Sequence, residues 1–274
     1  LAPATTPASA PGADPDSIAA AADLLAGAKA PLIITTTLGR YANAVPALAS
    51  LADAFAIPVV AHWPRYLCLT TDHPMHAGFT PGPSLKDADV VLVVDSDVPW
   101  IPAIEEPATN TKVVQLGIDP LYSDYPMRTF AADVVINAHP VNGISALHNA
   151  LADRIDTKSA DIAARRKTSA AAHTERRATN AKALDTLKDA APISPAWVTH
   201  CIDRIKGDNA ILVNESPLQQ DHLTLSAPGS FFSASPVGGL GWGMGASLGL
   251  KLGAPDKLVI AALGDGAYMF GNPT

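Results

Sequence analysis

The chain has 274 residues, 48% hydrophobic, 16% charged and 5% aromatic, with 24 prolines and 19 glycines, a globular composition too apolar for disorder and too irregular for a fibre. A formal charge of −7 argues against a nucleic-acid groove, and no apolar run approaches the roughly 20 residues that would carry the chain through a membrane. Cys68 and Cys201 stand far apart without partner spacing, which excludes a disulfide framework or zinc site and fits a reducing cytoplasm.

Residues 1–16 carry Pro3, Pro7, Pro11 and Pro15 among Ala, Thr and Ser and predict a semi-extended linker. From Ser17 the pattern becomes helix, strand, helix, strand. Asp16 or Ser17 can cap a helix running to residue 28, and 31–35 is a short apolar strand. Val45, Leu48, Leu51 and Phe55 place a helix over 44–55. Strands follow at 57–61, 89–94, 112–116 and 133–136, as continuous Val/Ile/Leu runs rather than alternating ones. Strands buried on both faces have that composition, which predicts a parallel sheet between helices. A helix over 141–152 completes a Rossmann-like central domain at residues 17–152.

Residues 151–191 hold 9 of the 19 Lys/Arg and are rich in Ala. A solvated helical connector over 153–191 is the reading, with Arg165-Arg166-Lys167 and Arg176-Arg177 on a solvent face rather than on an anion. A second α/β unit spans residues 192–274. Ser194 and Pro195 start a helix whose apolar face is Val198, Cys201, Ile202 and Ile205, and Gly207 ends it. Strands are predicted at 210–213 and 257–263, and 11 of the 19 glycines fall from Gly229 onward. The predicted fold class is therefore α/β, a Rossmann-like parallel-sheet domain followed by a partial second α/β domain. The start at Leu1 and the stop directly after the glycine-dense stretch predict a piece of a longer polypeptide.

Two glycine-rich runs carry the candidate chemistry. Gly238-Gly239-Leu240-Gly241-Trp242-Gly243-Met244-Gly245 leads into a small-residue helix, so its backbone can approach a ligand or a neighbouring helix closely. Leu263-Gly264-Asp265-Gly266-Ala267 follows a buried strand, at the sheet end where ligands bind in open parallel sheets. Glycines flanking an acid let backbone amides turn toward phosphate while the carboxylate meets a hard cation. Taken singly, the two runs are better explained by tight helix packing and by helix capping.

In this order, with Asn214-Glu215-Ser216 and Pro228-Gly229-Ser230-Phe231-Phe232 before them, the runs resemble the thiamine-diphosphate enzymes of the acetolactate synthase, pyruvate oxidase and benzoylformate decarboxylase family. The benzoylformate decarboxylase branch is the most similar. Asp97-Val98-Pro99-Trp100 and Ile118-Asp119-Pro120 resemble landmarks of that family's central domain, so the likeness covers residues 17–274. It implies that Asp265 is the first Mg²⁺ ligand, with Gly264, Gly266 and Ala267 around the diphosphate. It further implies that Leu240 props the cofactor into its bent shape, that Gly238, with Gly239 beside it, offers a carbonyl to the exocyclic amine, and that Leu218 and Gln219 add diphosphate contacts. The last three residues, with Asn272, lie too near Asp265 to supply the family's second metal ligand.

The resemblance places the activating Glu on a separate N-terminal domain, so no catalytic residue is assigned within the chain. Where relatives have a catalytic His, Pro99–Pro102 stand, and Thr35-Thr36-Thr37 replace the glycines of flavin-binding relatives, so FAD is not expected. The implied activity is decarboxylation, carboligation or C–C cleavage of a 2-oxo acid or related acyl donor, in a homodimer or homotetramer or together with further segments of the same enzyme. By that comparison the chain alone binds cofactor weakly, Gly264–Tyr268 is a mobile loop, and Gly271–Thr274 is ordered only by another chain. Alternatives are a non-catalytic scaffold, a 2-hydroxyacyl-CoA lyase type of cleavage, and a nucleotide-binding module, the last disfavoured because Gly-x-Gly-x-x-Gly is missing after the first strand. His73 and His76 read as packing residues before metal ligands, and His222 as either substrate-near or partner-facing. The four tryptophans read as core or interface residues, and Ser216 and Ser233 lack a nucleophile elbow.

Overall fold

The computed structural model describes residues 5–128, 130–234 and 238–271, the side chain of Pro83 apart. The first unit opens with helix α1 (Pro15–Gly27). Its N-cap is Asp14, whose carboxylate accepts the Ser17 amide at 2.8 Å, rather than Asp16 or Ser17, because proline at the first helical position has no amide to lose. Strand β1 (Pro31–Thr35), helix α2 (Ala44–Ala54), strand β2 (Val59–Ala61) and the short helix α3 (Gly82–Asp87) follow. Strands β3 (Val90–Val94), β4 (Lys112–Gly117) and β5 (Val134–Asn137) and helix α4 (Pro140–Ala152) complete it.

The strands form one parallel sheet in the order β2-β1-β3-β4-β5, with Ile33 paired to Val59 on one side and to Leu92 on the other. Successive strand residues face opposite ways. Ile33, Leu92 and Val114 therefore join the core under α1, α2 and α4, whereas Leu32, Ile34, Val91 and Val93 join the opposite core with Leu85 and Trp100. Both faces are covered, as the unbroken apolar runs require.

Helix α5 (Ala160–Leu187) connects the units as one 28-residue helix. It is less solvated than its composition suggests. The Arg165 guanidinium donates to the carbonyls of Phe55 and Ala56 at 2.6 and 3.0 Å, and Arg176 and Arg177 donate to those of His76 and Thr71. Those carbonyls lie at a helix end and in loops, where a cationic donor offsets their unmet demand.

The second unit contains helix α6 (Pro195–Ile205), strand β6 (Ala210–Asn214), strand β7 (Phe231–Ser233), helix α7 (Trp242–Gly253), strand β8 (Leu258–Ala262) and helix α8 (Asp265–Phe270). Its parallel sheet runs β7-β6-β8. The apolar face expected for α6 is covered only in part: Val198 is half-buried and Ile202 packs against the Leu212–Phe231 core, but Cys201 is exposed and Ile205 is 76% exposed, while Ala196 and Thr199 are covered. The cause is that α6 meets α5 and the 220–222 turn and leaves its Cys201–Ile205 side facing outward. The loop after β2 joins the two units. Tyr66 bridges Phe232, Leu225 and Thr71 exchange two hydrogen bonds, and Leu67 enters a core with Leu212, Leu223 and Phe231.

Candidate functional site

The parallel pairing of Asn214 with Ala262 brings the C-terminal ends of β6 and β8 side by side. The residues after each strand therefore emerge at one end of the sheet, where parallel sheets hold ligands. After β6, the Asn214 carboxamide accepts from the Leu218 amide and donates to the Leu218 carbonyl, at 3.1 and 3.2 Å. This clasp buries Leu218 and presents Gln219, whose amide donates to Thr199 Oγ1.

After β8, Gly264 precedes α8 with extended backbone (φ −74°), and Asp265 is exposed. Helix α8 replaces the mobile loop expected at Gly264–Tyr268, because the Tyr268 amide reaches the Gly264 carbonyl at 2.9 Å and closes the first turn. Gly271 lies against Met244 and Gly241 of this same chain rather than only against another, and Asn272–Thr274 lie outside the described residues.

The third part of the site is the entry to α7. Gly238, Gly239 and Leu240 are exposed, Leu240 to 63%, and Gly241 caps the helix at φ +93°. Residues 235–237 before them lie outside the described residues. The Glu215 carboxylate accepts the Gly241 and Gly243 amides, both at 2.6 Å. Sequence reading quoted Glu215 as part of a motif but missed this role; an acid directly after a buried strand was the available signal.

The glycines around Asp265 stand in open space, as do Gly245 and Gly249 on α7. A Cβ added at Gly264, Gly266 or Gly239 would meet no non-adjacent atom of the described residues within 4 Å, and none of the three has a left-handed φ. Neither packing nor conformation demands glycine there, although within a helix glycine costs about 1 kcal/mol relative to alanine. Backbone bared in this way admits the close approach of a ligand. An exposed carboxylate among open amides is a donor set suited to a hard cation beside an anionic group.

Not all predicted residues share one wall. Leu218 and Gln219 line a cleft of about 510 Å³ between the units, with Trp63, Phe79, Asp221 and Ser233, which Asp265 and Leu240 do not border. His222 borders a different cleft with Trp197 and His200, and burial lowers its pKa. His73 and His76 each accept an amide two residues on. Among the described residues no group of three or more His, Cys, Asp or Glu could hold a metal. Of the tryptophans, Trp100 is core, while Trp63 is 50% exposed.

At the matching end of the first sheet the space is filled by the chain itself. Arg40 pairs with Asp95 at 2.7 Å and Arg65 with Asp97 at 2.6 Å, and Thr36 and Thr37 bond to Ser96 and Asp95.

Comparison with known proteins identifies both units. Residues 18–139 match the thiamine pyrophosphate enzyme central domain and residues 217–273 the C-terminal TPP binding domain of the same enzymes. The chain belongs to the thiamine pyrophosphate enzyme family. It is 26% identical over 269 residues to a Pseudomonas aeruginosa protein named "Probable 2-ketoarginine decarboxylase", a match covering 93% of this chain and 44% of that one. It is also 26% identical over 295 residues to sulfoacetaldehyde acetyltransferase of Roseovarius nubinhibens, covering 94% and 47%. Benzoylformate decarboxylase from Polynucleobacter necessarius shares the fold, with a TM-score of 0.72 at 20% identity over 98% of this chain and 51% of that chain. The chain thus spans about half the length of these relatives. Among the described residues, no helix of this family member is long and apolar enough to cross a membrane.

Proposed function

We propose that the chain supplies the central and diphosphate-binding parts of an enzyme that decarboxylates or carboligates a 2-oxo acid with thiamine pyrophosphate and Mg²⁺. The observation that carries the reading is the pair of glycines around exposed Asp265, required neither by packing among the described residues nor by their backbone angles. The cofactor, when bound, supplies a nucleophilic carbon and an electron sink for the bond that breaks. Asp265 would hold the cation, the backbone around Gly264, Gly266 and Ala267 would face the diphosphate, and Leu240 would brace the cofactor from the side. Leu218 and Gln219 would bound the cofactor's outer end near the cleft between the units.

A carboxylate on the pyrimidine side would come from a further segment or a second copy. A homodimer or homotetramer is in keeping with the apolar residues exposed on α7 and α8, among them Leu252 and Phe270. Two free cysteines are consistent with a cytoplasmic location.

Asp265→Ala is expected to abolish Mg²⁺-dependent uptake of thiamine pyrophosphate by the holoenzyme, read by calorimetry; unchanged affinity overturns the metal assignment. Leu240→Ala is expected to lower turnover more than stability, because misplacement of reacting groups weighs directly on rate. The acetyltransferase relative favours a second reading, in which the acyl group passes to an acceptor other than a proton. Assays of several 2-oxo acids with and without inorganic phosphate or an aldehyde separate release of carbon dioxide alone from transfer.

A further inference from the structure

Glu215 is the first residue beyond β6, and it is rooted there, since its amide donates to the Ala262 carbonyl at 3.0 Å. Its two carboxylate oxygens are divided between two amides of a different segment, Gly241 on Oε1 and Gly243 on Oε2. Those amides are at the N-cap and second position of α7, among the donors that a helix cannot satisfy internally. Charge-assisted bonds of this kind are the strong ones.

The backbone at this point has little freedom left. Gly241 is in the left-handed region, and a Cβ on it would lie 2.7 Å from the Gly271 nitrogen. A Cβ on Gly243 would collide with Leu263 and would lie 2.8 Å from Glu215 Oε2. Leu240, directly before Gly241, is 63% exposed, and on its C-terminal side it is attached to this fixed backbone. Its position is therefore set through the backbone that Glu215 holds.

We infer that Glu215 is a positioning residue, which clamps the Gly241–Gly243 turn and thereby aims Leu240 into the site. The link to cofactor rests on the function proposed above; the clamp itself does not. A consequence concerns charge: the positive end of α7 is already occupied by a carboxylate, so a diphosphate gains little from it. Anion recognition then falls to the open backbone on either side of Asp265.

Two measurements test the inference. In the isolated chain, Glu215→Gln is expected to speed amide hydrogen exchange at Gly241 and Gly243 by about tenfold or more, leaving the β6 and β8 amides unchanged. Glu175→Gln, exposed on α5, serves as the unaffected control. Wild-type rates at both glycines overturn the clamp, and so does uniform acceleration across the second unit, which would make Glu215 a general stabiliser.

In the holoenzyme, Glu215→Gln is expected to weaken thiamine pyrophosphate about tenfold. The double variant with Leu240→Ala is expected to cost no more than the larger single change, because both act on one element. Additive losses overturn the coupling to Leu240. If the wild-type holoenzyme takes up no thiamine pyrophosphate, the functional reading falls, and the exchange measurement alone decides whether Glu215 holds the turn.

Discussion

The two sheets are made of similar strands but are closed to different degrees. In the first, β1 and β3 are buried along their whole length between helices on one face and the Leu85–Trp100 cluster on the other. In the second, β6 is equally buried, yet its neighbour β8 leaves Leu258 51% exposed, and α7 leaves Leu248 and Leu252 at 64% and 84%. An apolar strand or helix is not buried by its own composition; it is buried by what lies against it. The two units also use charge differently at their sheet ends. The first sets Asp95 and Asp97 against Arg40 and Arg65 of its own chain, whereas the second leaves Asp265 exposed, bonded among the described residues only to the adjacent Gly266 amide.

That contrast can be broken or sharpened by mutation. The largest effect is expected in the first core, where Phe55 is fully buried. Phe55→Ala is expected to cost about 3–5 kcal/mol in denaturant unfolding through lost contacts and a residual cavity. A cost as small as that of a surface change would show the first sheet to be less closed than its burial indicates.

Next comes the attachment of the connector. Arg165→Ala leaves the Phe55 and Ala56 carbonyls without their cationic donor, an expected cost of about 1–3 kcal/mol. Exchange should quicken along α5 while β1 and β3 stay protected. Acceleration in the strands instead would mean that α5 is part of the first core.

Buried and half-buried histidines of the first unit and of α5 give the fold a pH dependence of known sign. Burial and the neighbouring Arg176 lower the His76 pKa from 6.5 to about 3, and burial lowers those of His62, His73 and His173. Because each folded-state pKa lies below the unfolded one, the neutral form supports the fold above pH 6.5, and that support is lost as pH falls below 6.5, for His76 down to about 3. The slope contributed is up to about 1.4 kcal/mol per pH unit for each histidine. His76→Gln should flatten the unfolding free energy between pH 6.5 and 5; an unchanged slope would assign the acid sensitivity elsewhere.

The smallest effects are expected in the second unit. Leu252→Ala and Asp265→Ala should each change stability by less than about 0.5 kcal/mol in the isolated chain. A cost of several kcal/mol for Leu252→Ala would show that α7 is already covered in solution, which sedimentation would report as self-association. A large cost for Asp265→Ala would make that carboxylate a structural cap and weaken its reading as a metal ligand.

Much of this was legible in the sequence. Local rules were sufficient wherever one residue type answers one local demand: continuous Val/Ile/Leu runs for two-sided burial, Ser194 and Pro195 for the start of α6, and the placing of Gly264-Asp265-Gly266 directly after a strand. They failed where the answer depends on residues distant in the chain. The face of α6 has the right periodicity, but only its Ile202 edge meets the core, and Cys201 and Ile205 stay exposed among the described residues. The arginines of α5 read as solvated because helix-end carbonyls more than 100 residues away, Phe55 and Ala56, are invisible to a local pattern. Glu215 read as one letter of a motif until the pairing of β6 with β8 carried it to the entry of α7, 26 residues from Gly241. Composition and spacing determined which segments fold and into what; only the tertiary structure decided which faces are covered and which polar groups meet, because those depend on distances in space that chain order does not encode.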